Sequence, residues 1–220
     1  RDCLLSRGLG DVYKRQNLYY MKYKDQLVPT GMVNDDSNAL NTNVPDSYRR
    51  GVELSASWRA TGWFTVGANA TFSQNRIENY VDALKDSPTY GKELGDMTIA
   101  YSPDVIANAF LNFHHRGFEA VFHTQHVGKQ YFTNNENDAL SLDAYCVTNL
   151  NLAYTFRTRS ARSVRLGLLI NNLFNAEYES NGYGYSYMDT WSGPAPVRID
   201  EAYYFPQAPL NVLANVTVKF

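Results

Sequence analysis

The sequence of 220 residues predicts an all-β protein: an antiparallel, up-and-down transmembrane β-barrel segment of about eight strands that forms an open part of a larger barrel. Three observations predict this fold class. Apolar and polar residues alternate with a period of two, as in strands whose two faces meet different environments. Aromatic residues, which favour strands, make up 14% of the chain. Short and long connections alternate, as in outer-membrane barrels.

The alternation is clearest at the end of the chain. Between residues 210 and 220 every even position is apolar, whereas most odd positions are polar, including Asn211, Asn215 and Lys219. The same pattern predicts eight strands in all, with no helix between them. They cover residues 17–28, 43–59, 63–80, 102–114, 117–132, 143–157, 164–180 and 203–220.

The connections between these strands are asymmetric. Three are short, at residues 60–62, 115–117 and 158–163. They alternate with long connections at residues 29–42, 81–101, 133–142 and 181–202. This predicts short periplasmic turns and long extracellular loops.

Aromatic residues near the short turns predict a girdle at one membrane interface. These residues are Trp58, Trp63, Phe113, Phe118, Tyr154 and Phe156. On the strands themselves, Glu53 and Arg165 are expected to point into the lumen. Gly51 is expected to mark a bulge or a close approach, as glycine in a strand often does. Cys146 is expected to be a small apolar strand residue.

Composition excludes several classes of protein. A formal net charge of −2 provides no basic surface of the kind that binds nucleic acid. The densest apolar run, residues 166–170, is far shorter than the roughly 18 residues of a membrane-spanning helix. A mean hydropathy of −0.41 remains compatible with a barrel, because only every second strand residue faces lipid.

No motif for catalysis, a metal or a cofactor is present in the sequence. It lacks the G-x-S-x-G nucleophile elbow and the phosphate and dinucleotide fingerprints. His123 and His126 lie three residues apart in one predicted strand, so their side chains point to opposite faces. We therefore expect neither an enzyme nor a metal site nor a cofactor.

Residues 1–16 differ from the rest of the chain. They read RDCLLSRGLGDVYKRQ and show no alternation. The chain does not begin with Met and shows no signal peptide, so we expect this segment to be non-native and the natural N-terminus to lie upstream. Residues 17–220 are then the C-terminal part of an outer-membrane barrel. A native loop that leads into a strand is the alternative for residues 1–16.

Several segments resemble parts of known outer-membrane proteins. Residues 215–220, which end on Phe220, are similar to the insertion signal read by the barrel-assembly machinery. Residues 169–178 resemble the NNLF(N/D)xxY segment of TonB-dependent receptors, and residues 43–54 and 17–25 resemble two earlier strands of that family. The positions that match the NNLF(N/D)xxY segment are Asn171, Asn172, Leu173, Phe174 and Tyr178.

The resemblance covers residues 17–220 in order and implies a function. The family has a wide barrel of roughly 22 strands, filled by an N-terminal plug, so eight strands would be about a third of it. The resemblance implies a receptor that imports a scarce ligand, such as a ferric siderophore, haem, cobalamin or a glycan. The implied partners are outer-membrane lipid, the TonB complex through a plug upstream, the barrel-assembly machinery, and small-molecule or metal-chelate cargo.

The loop predicted at residues 181–202 contains the candidate ligand-binding residues. Tyr183, Tyr185, Tyr187 and Trp191 offer rings that stack on a siderophore or a sugar, and self-packing of the loop is the alternative. Three other functions stay open at this point. They are a self-contained eight-stranded barrel with a structural or adhesive role, a membrane-embedded hydrolase, and a soluble β-barrel binder.

Overall fold

A computed structural model describes residues 11–34 and 38–220 of the chain. Within these residues the chain forms thirteen strands and one 3-10 turn at Asp138–Leu140. The strands are β1 (Asp11–Val33), β2 (Ala39–Thr61), β3 (Phe64–Ile77), β4 (Met97–Thr98), β5 (Val105–His115), β6 (Phe118–Val127), β7 (Gln130–Tyr131), β8 (Ser141–Leu142), β9 (Tyr145–Phe156), β10 (Ser163–Asn171), β11 (Glu179–Asp189), β12 (Val197–Pro206) and β13 (Asn211–Lys219). No helix of this described part is long and apolar enough to span a membrane.

All eight predicted strands contribute to one antiparallel sheet, the last two with only part of their predicted length. Its order is β1-β2-β3-β5-β6-β9-β10-β13, and β4 adds a short pairing to β3. The strands of this sheet are neighbours in chain order, which is an up-and-down arrangement, and the β11–β12 hairpin is inserted between β10 and β13 as a separate sheet. In the described residues β1 and β13 are the two edges and do not pair with each other.

One face of the sheet is apolar from edge to edge. Directly opposed residues of antiparallel strands point to the same side, so the strand registers connect one residue per strand into a row. One such row is apolar in all eight strands and consists of Val12, Trp58, Val66, Leu111, Phe122, Leu150, Ile170 and Val212. Several of these side chains are exposed, for example Trp58, Leu111 and Val212. An uncovered apolar face of this width is the lipid-facing side of a barrel wall.

The opposite face is polar. A second row of opposed residues contains Ser55, Asn69, Asn108 and Gln125. The amide of Asn108 donates to the Asn69 side chain at 3.1 Å. A polar face opposite a lipid-facing one is the lumenal side of a barrel.

The lumenal face contains the charged residues that the sequence predicts there. Arg165 donates two hydrogen bonds to the Glu119 carboxylate, at 2.9 and 2.8 Å. Glu53 accepts a hydrogen bond from Asn17 at 3.0 Å.

Gly51 marks a close approach rather than a bulge. Its pairing with both neighbouring strands is regular. A Cβ at this position would lie 2.6 Å from the Tyr19 hydroxyl oxygen, so the Tyr19 ring covers the glycine.

The aromatic residues near the short turns meet at one end of the sheet. The Trp63 and Phe113 rings lie 5.2 Å apart, and Phe113 lies 6.0 Å from Phe118. Phe118 is directly opposite Tyr154, which stacks on Phe156 at 5.9 Å. This continuous row from the turn before β3 across β5, β6 and β9 is the arrangement expected of an interfacial girdle.

β1 and β2 extend further than the sequence predicted. The connection predicted at residues 29–42 shrinks to 34–38, because ladder pairing continues through Pro29 and Asn41 to Val33 and Ala39. Its residues 35–37 lie outside the described part. Residues 11–16, which the prediction left out of the fold, continue β1 and pair with residues 54–59. Residues 1–10 lie outside the described part.

The prediction was wrong at the last two strands. The strand predicted at residues 164–180 ends at Asn171, because Asn172 adopts a positive φ of 51° and turns the chain. The predicted loop at 181–202 is mostly a hairpin of β11 and β12, paired from Glu179 to Pro206. The predicted strand at 203–220 is therefore two strands separated by residues 207–210.

Candidate ligand-binding site at the loop end

The long connections meet at one end of the sheet, which we call the loop end. The opposite end, with the connections at residues 62–63, 116–117 and 157–162, is the turn end. At the loop end a small core forms from Phe132, Leu140 and Leu142, all almost fully buried. The short strands β7 and β8 pair beside it. We call residues 128–144 together with the β11–β12 hairpin the cap.

Hydrogen bonds fix the cap to the first strands of the sheet. The buried side chain of Asn134 accepts from the Ala100 N–H at 2.7 Å and donates to the Pro29 carbonyl at 2.5 Å. The Glu136 carboxylate contacts Arg76 at the end of β3 and accepts from the Thr98 N–H at 3.0 Å. The cap is thus joined both to β1 and to the long connection at residues 78–104.

The hairpin docks on the cap core with its glycine face. A Cβ on Gly182 would lie 2.7 Å from the Phe132 ring, and one on Gly184 would lie 2.9 Å from Leu140. The Tyr204 ring on the same face lies 5.8 Å from the Phe132 ring. Although the hairpin begins between β10 and β13 at one edge of the sheet, β11 contacts β1 at the other edge. The hairpin therefore leans across the sheet.

The other face of the hairpin presents a tyrosine cluster around one carboxylate. Tyr185, Tyr187 and Tyr203 all donate to Glu201, at 2.6, 3.1 and 2.9 Å respectively. The Tyr183 ring stacks on Tyr203 at 5.0 Å with an interplanar angle of 15°. Tyr183, Tyr187 and Tyr203 remain exposed. The cluster is an open aromatic surface with a fixed negative charge at its centre.

The hydrogen bonds of this cluster shift the pKa values of Glu201, Tyr185 and Tyr187. The bond from Tyr185, followed by those from Tyr203 and Tyr187, holds the pKa of Glu201 below its ordinary value. The same contact with the carboxylate raises the pKa of the Tyr185 hydroxyl, and that of Tyr187 rises for the same reason. Glu201 thus stays ionised, and Tyr185 and Tyr187 stay protonated, at neutral pH.

Three of the four predicted ligand-binding residues belong to this cluster. Tyr183, Tyr185 and Tyr187 share a face because they alternate in β11. Trp191 lies apart in the connection at the hairpin tip and is 94% exposed. The sequence reasoning missed Glu201 and Tyr203, which it assigned to a connection and to the last strand. The signal for them was a second alternating segment after the Gly- and Pro-containing residues 192–196.

The residues of the family motif organise the exit from β10. The Asn172 amide donates to the Ala176 carbonyl, and the Ala176 N–H donates back to it, both at 2.8 Å. Asn171 donates to Asn211 at 2.9 Å, which ties β10 to the start of β13. The Leu173 N–H donates to the Thr148 carbonyl at 2.7 Å.

The aromatic residues of the motif pack to either side of this exit. Tyr178 stacks on Tyr145 at 4.7 Å, and the exposed ring of Phe174 lies 6.2 Å from Phe122. Phe220, the predicted insertion signal, follows β13 and is exposed. In the ranges 11–34 and 38–220, no three His, Cys, Asp or Glu side chains are grouped to hold a metal ion.

Comparison with known proteins assigns the family. The sequence model described as "TonB dependent receptor-like, beta-barrel" matches residues 17–173, well over half of the chain. The chain belongs to the TonB-dependent receptor family. No curated protein sequence matches it.

Several solved structures of receptors and transporters share the fold. The ferric yersiniabactin uptake receptor FyuA from Yersinia pestis is 19% identical, with a TM-score of 0.64, over 96% of this chain and 28% of that one. The siderophore receptor PiuA from Acinetobacter baumannii is 14% identical, with a TM-score of 0.63, over 93% and 26%. The copper transporter OprC is 19% identical, with a TM-score of 0.61, over 96% and 29%. The chain thus spans between 26% and 29% of the length of these proteins.

Membership of this family places the chain in the outer membrane of a Gram-negative bacterium. The apolar face of the sheet is then the surface in contact with lipid, and the polar face lines the lumen. Outer-membrane barrels have long loops on the extracellular side and short turns on the periplasmic side, which is the orientation expected for the loop end and the turn end.

Proposed function

We propose that this chain is the C-terminal part of a receptor that binds a scarce extracellular ligand and imports it, with a ferric siderophore or a similar metal chelate as cargo. The observation that carries the proposal is the tyrosine cluster on an extracellular hairpin. Tyr183 and Tyr203 offer stacked, exposed rings for a planar ligand. Siderophore receptors among the proteins of like fold support this cargo class. The role is transport rather than catalysis.

We further propose that other strands of the same receptor complete the barrel. β1 and β13 are unpaired edges within the described residues, which supports this proposal because open edges are not tolerated in lipid. The chain also spans less than a third of its structural neighbours. The proposed partners are outer-membrane lipid, the TonB complex through an upstream plug, the barrel-assembly machinery through Phe220, and the cargo. We propose no interaction with nucleic acid.

The genomic reading frame upstream of Asn17 tests the first part of the proposal. We expect several hundred further codons that encode barrel strands, a plug, a TonB box and a signal peptide. We also expect the natural sequence to replace residues 1–16. A signal peptide immediately before Asn17 would instead indicate a self-contained eight-stranded barrel. That outcome requires β1 to pair with β13 and would end the transport proposal.

Ligand uptake by the full reading frame tests the second part. Cells that lack their own receptors would express the protein and be supplied with ferric siderophores carrying radioactive iron. We expect uptake that depends on TonB and a Kd raised roughly tenfold by Tyr183→Ala combined with Tyr203→Ala, since each stacking ring contributes about 0.5–1.5 kcal/mol. The matched control is Tyr20→Ala, an exposed tyrosine of β1 that stacks on Tyr48 at 6.3 Å.

One outcome would contradict the proposed binding site, and another would contradict the proposed transport function. An equal loss of affinity in the Tyr20 variant would exclude the hairpin as the binding surface. Uptake that continues in cells without TonB would contradict membership of an energised transport system.

A further inference from the structure

The turn end of the sheet is rich in positive charge, whereas the loop end is acidic. The connection at residues 157–162 contains three arginines and no acidic residue. The connection at residues 78–104, at the loop end, contains six acidic residues and two lysines. A net charge of −2 for the whole chain therefore conceals a strong separation between the two ends.

Five cationic side chains gather at the turn end. They are Arg116, Arg157, Arg159, Arg162 and Lys219, and all are exposed. Arg116 lies at the tip of a tight turn, with positive φ angles at both Arg116 and Gly117, the geometry of a two-residue hairpin turn. The Thr155 N–H donates to the Gly117 carbonyl at 2.8 Å, which brings that turn beside Arg157. Lys219 lies beside the same group, because it pairs with Ser163, the residue that follows Arg162.

These charges have no acidic partners in the described part of the chain. Every ion pair found there involves other residues. The nearest carboxylate in sequence to Arg116 is that of Glu119, and it is already engaged by two hydrogen bonds from Arg165. The five cations are therefore available to an external anion.

The position of the aromatic girdle sets the depth of this basic group. Phe118, Tyr154 and Phe156 lie exposed on the lipid-facing side, at the level where aromatic rings meet the lipid headgroups. Arg157 follows Phe156 directly, and Arg116 precedes Phe118 by two residues. The guanidinium groups of Arg116 and Arg157 are thus expected at the level of the lipid phosphates, and arginine binds phosphate in a bidentate manner.

We propose that the turn end binds anionic phospholipid headgroups of the periplasmic leaflet, through the basic group formed by Arg116, Arg157, Arg159, Arg162 and Lys219. The exposed aromatic rings beside it contact the upper acyl chains of the same lipid. Such binding anchors this end of the sheet at a fixed depth while the acidic loop end projects from the membrane. The inference concerns the barrel wall and does not depend on the cargo.

Lipid binding by the purified full-length receptor tests this inference. The protein would be held in a neutral detergent and titrated with phosphatidylglycerol or phosphatidylcholine, with bound lipid counted by native mass spectrometry. The test variant is Arg157→Gln with Arg159→Gln. The matched control is Lys85→Gln with Lys92→Gln, which removes two exposed charges from the loop end.

We expect the arginine variant to bind phosphatidylglycerol roughly 25-fold more weakly, since each cation near an anionic headgroup typically contributes about fivefold. Phosphatidylcholine binding and the lysine variant should match the parent protein. Arg157→Lys with Arg159→Lys keeps the charge and should retain most of the affinity, which also shows that the turn tolerates substitution. Equal phosphatidylglycerol binding by the arginine variant and the parent, or an equal loss in the lysine variant, would overturn the proposal.

Discussion

The eight-stranded sheet and the cap are built on different principles. The sheet is a continuous backbone ladder whose two faces alternate residue by residue, with an apolar row through all eight strands. The cap is held by a few side chains from segments far apart in sequence, with Phe132, Asn134 and Glu136 as its main contacts. In the sheet, alternation along each strand decides which face a residue occupies. In the cap, each contact depends on two individual side chains from distant segments.

This difference predicts which substitutions the protein tolerates. A single substitution in the sheet disturbs one site of a repeated pattern, and its cost depends on which face it occupies. A single substitution in the cap core can release the whole hairpin, because few other contacts replace the lost one. The two regions can therefore be separated by experiment, with the full-length protein in every case.

The largest effect is expected for Phe132→Ala. Phe132 is 2% exposed and lies under Gly182 and Tyr204, and deleting such a side chain costs about 3–5 kcal/mol. We expect faster proteolysis at residues 190–196, with no change in the thermal unfolding of the barrel. Phe174→Ala removes a ring that is 69% exposed and is the control. Loss of barrel stability in the Phe132 variant would show that the cap and the sheet unfold together.

The next largest effect is the loss of barrel stability when an arginine is placed on one or the other face of β10. Leu168 and Leu169 are adjacent, but Leu168 lies opposite Leu152 on the lipid face, and Leu169 lies opposite Asn151 on the lumenal face. Leu168→Arg should destabilise the barrel by about 2–4 kcal/mol, the cost of arginine near the bilayer midplane. Leu169→Arg should cost much less. Refolding into vesicles across a urea series measures both, and equal losses would contradict the assignment of the faces.

A smaller effect is expected at the junction between the sheet and the hairpin. Asn172 is buried, and its side chain makes two hydrogen bonds with the backbone of Ala176. Asn172→Ala should cost about 1–3 kcal/mol, because it leaves the half-buried backbone donor and acceptor of Ala176 without their partner. Hydrogen exchange should quicken at residues 172–178 and remain unchanged in β9. Asn171→Ala, which loses one contact with Asn211, should change exchange far less.

The smallest effect is the pH dependence of the tyrosine cluster. The pKa of Glu201 is lowered in the folded hairpin, so its contribution is complete above the unfolded value of about 4.3 and is lost as the pH falls through the folded value. Protection of the hairpin from an acid-active protease should therefore be constant down to about pH 4.3 and then decrease. Glu201→Gln should remove that decrease. An unchanged acid profile in the variant would assign the transition to another group.

Most of the sheet could be predicted from the sequence, because a period-two pattern is local. The segments around Val52, Val105 and Leu150 each lie in the strand that their alternation predicts. The end of β10 could not be predicted in this way, since residues 164–180 continue without an obvious break. It depends on the positive φ of Asn172 and on its contacts with Ala176, Asn149 and Ala208.

The candidate site was predictable only in part. The alternation of Tyr183, Tyr185 and Tyr187 shows that they share one face if they form a strand. Their assignment to a loop hid that strand, and with it the partners Glu201 and Tyr203 across the hairpin. Trp191 was grouped with the tyrosines by residue type alone, and the structure places it at the tip, outside their hydrogen-bonded network.

The sequence by itself determined the fold class, the order of the strands and the two chemically different faces, because these depend on residue spacing within each strand. Only the tertiary structure decided that the apolar face stays uncovered, that the hairpin leans back across the sheet, and that three tyrosines meet on one glutamate. Those features depend on contacts between segments distant in the chain. The spacing of residues within a strand carries no information about such contacts.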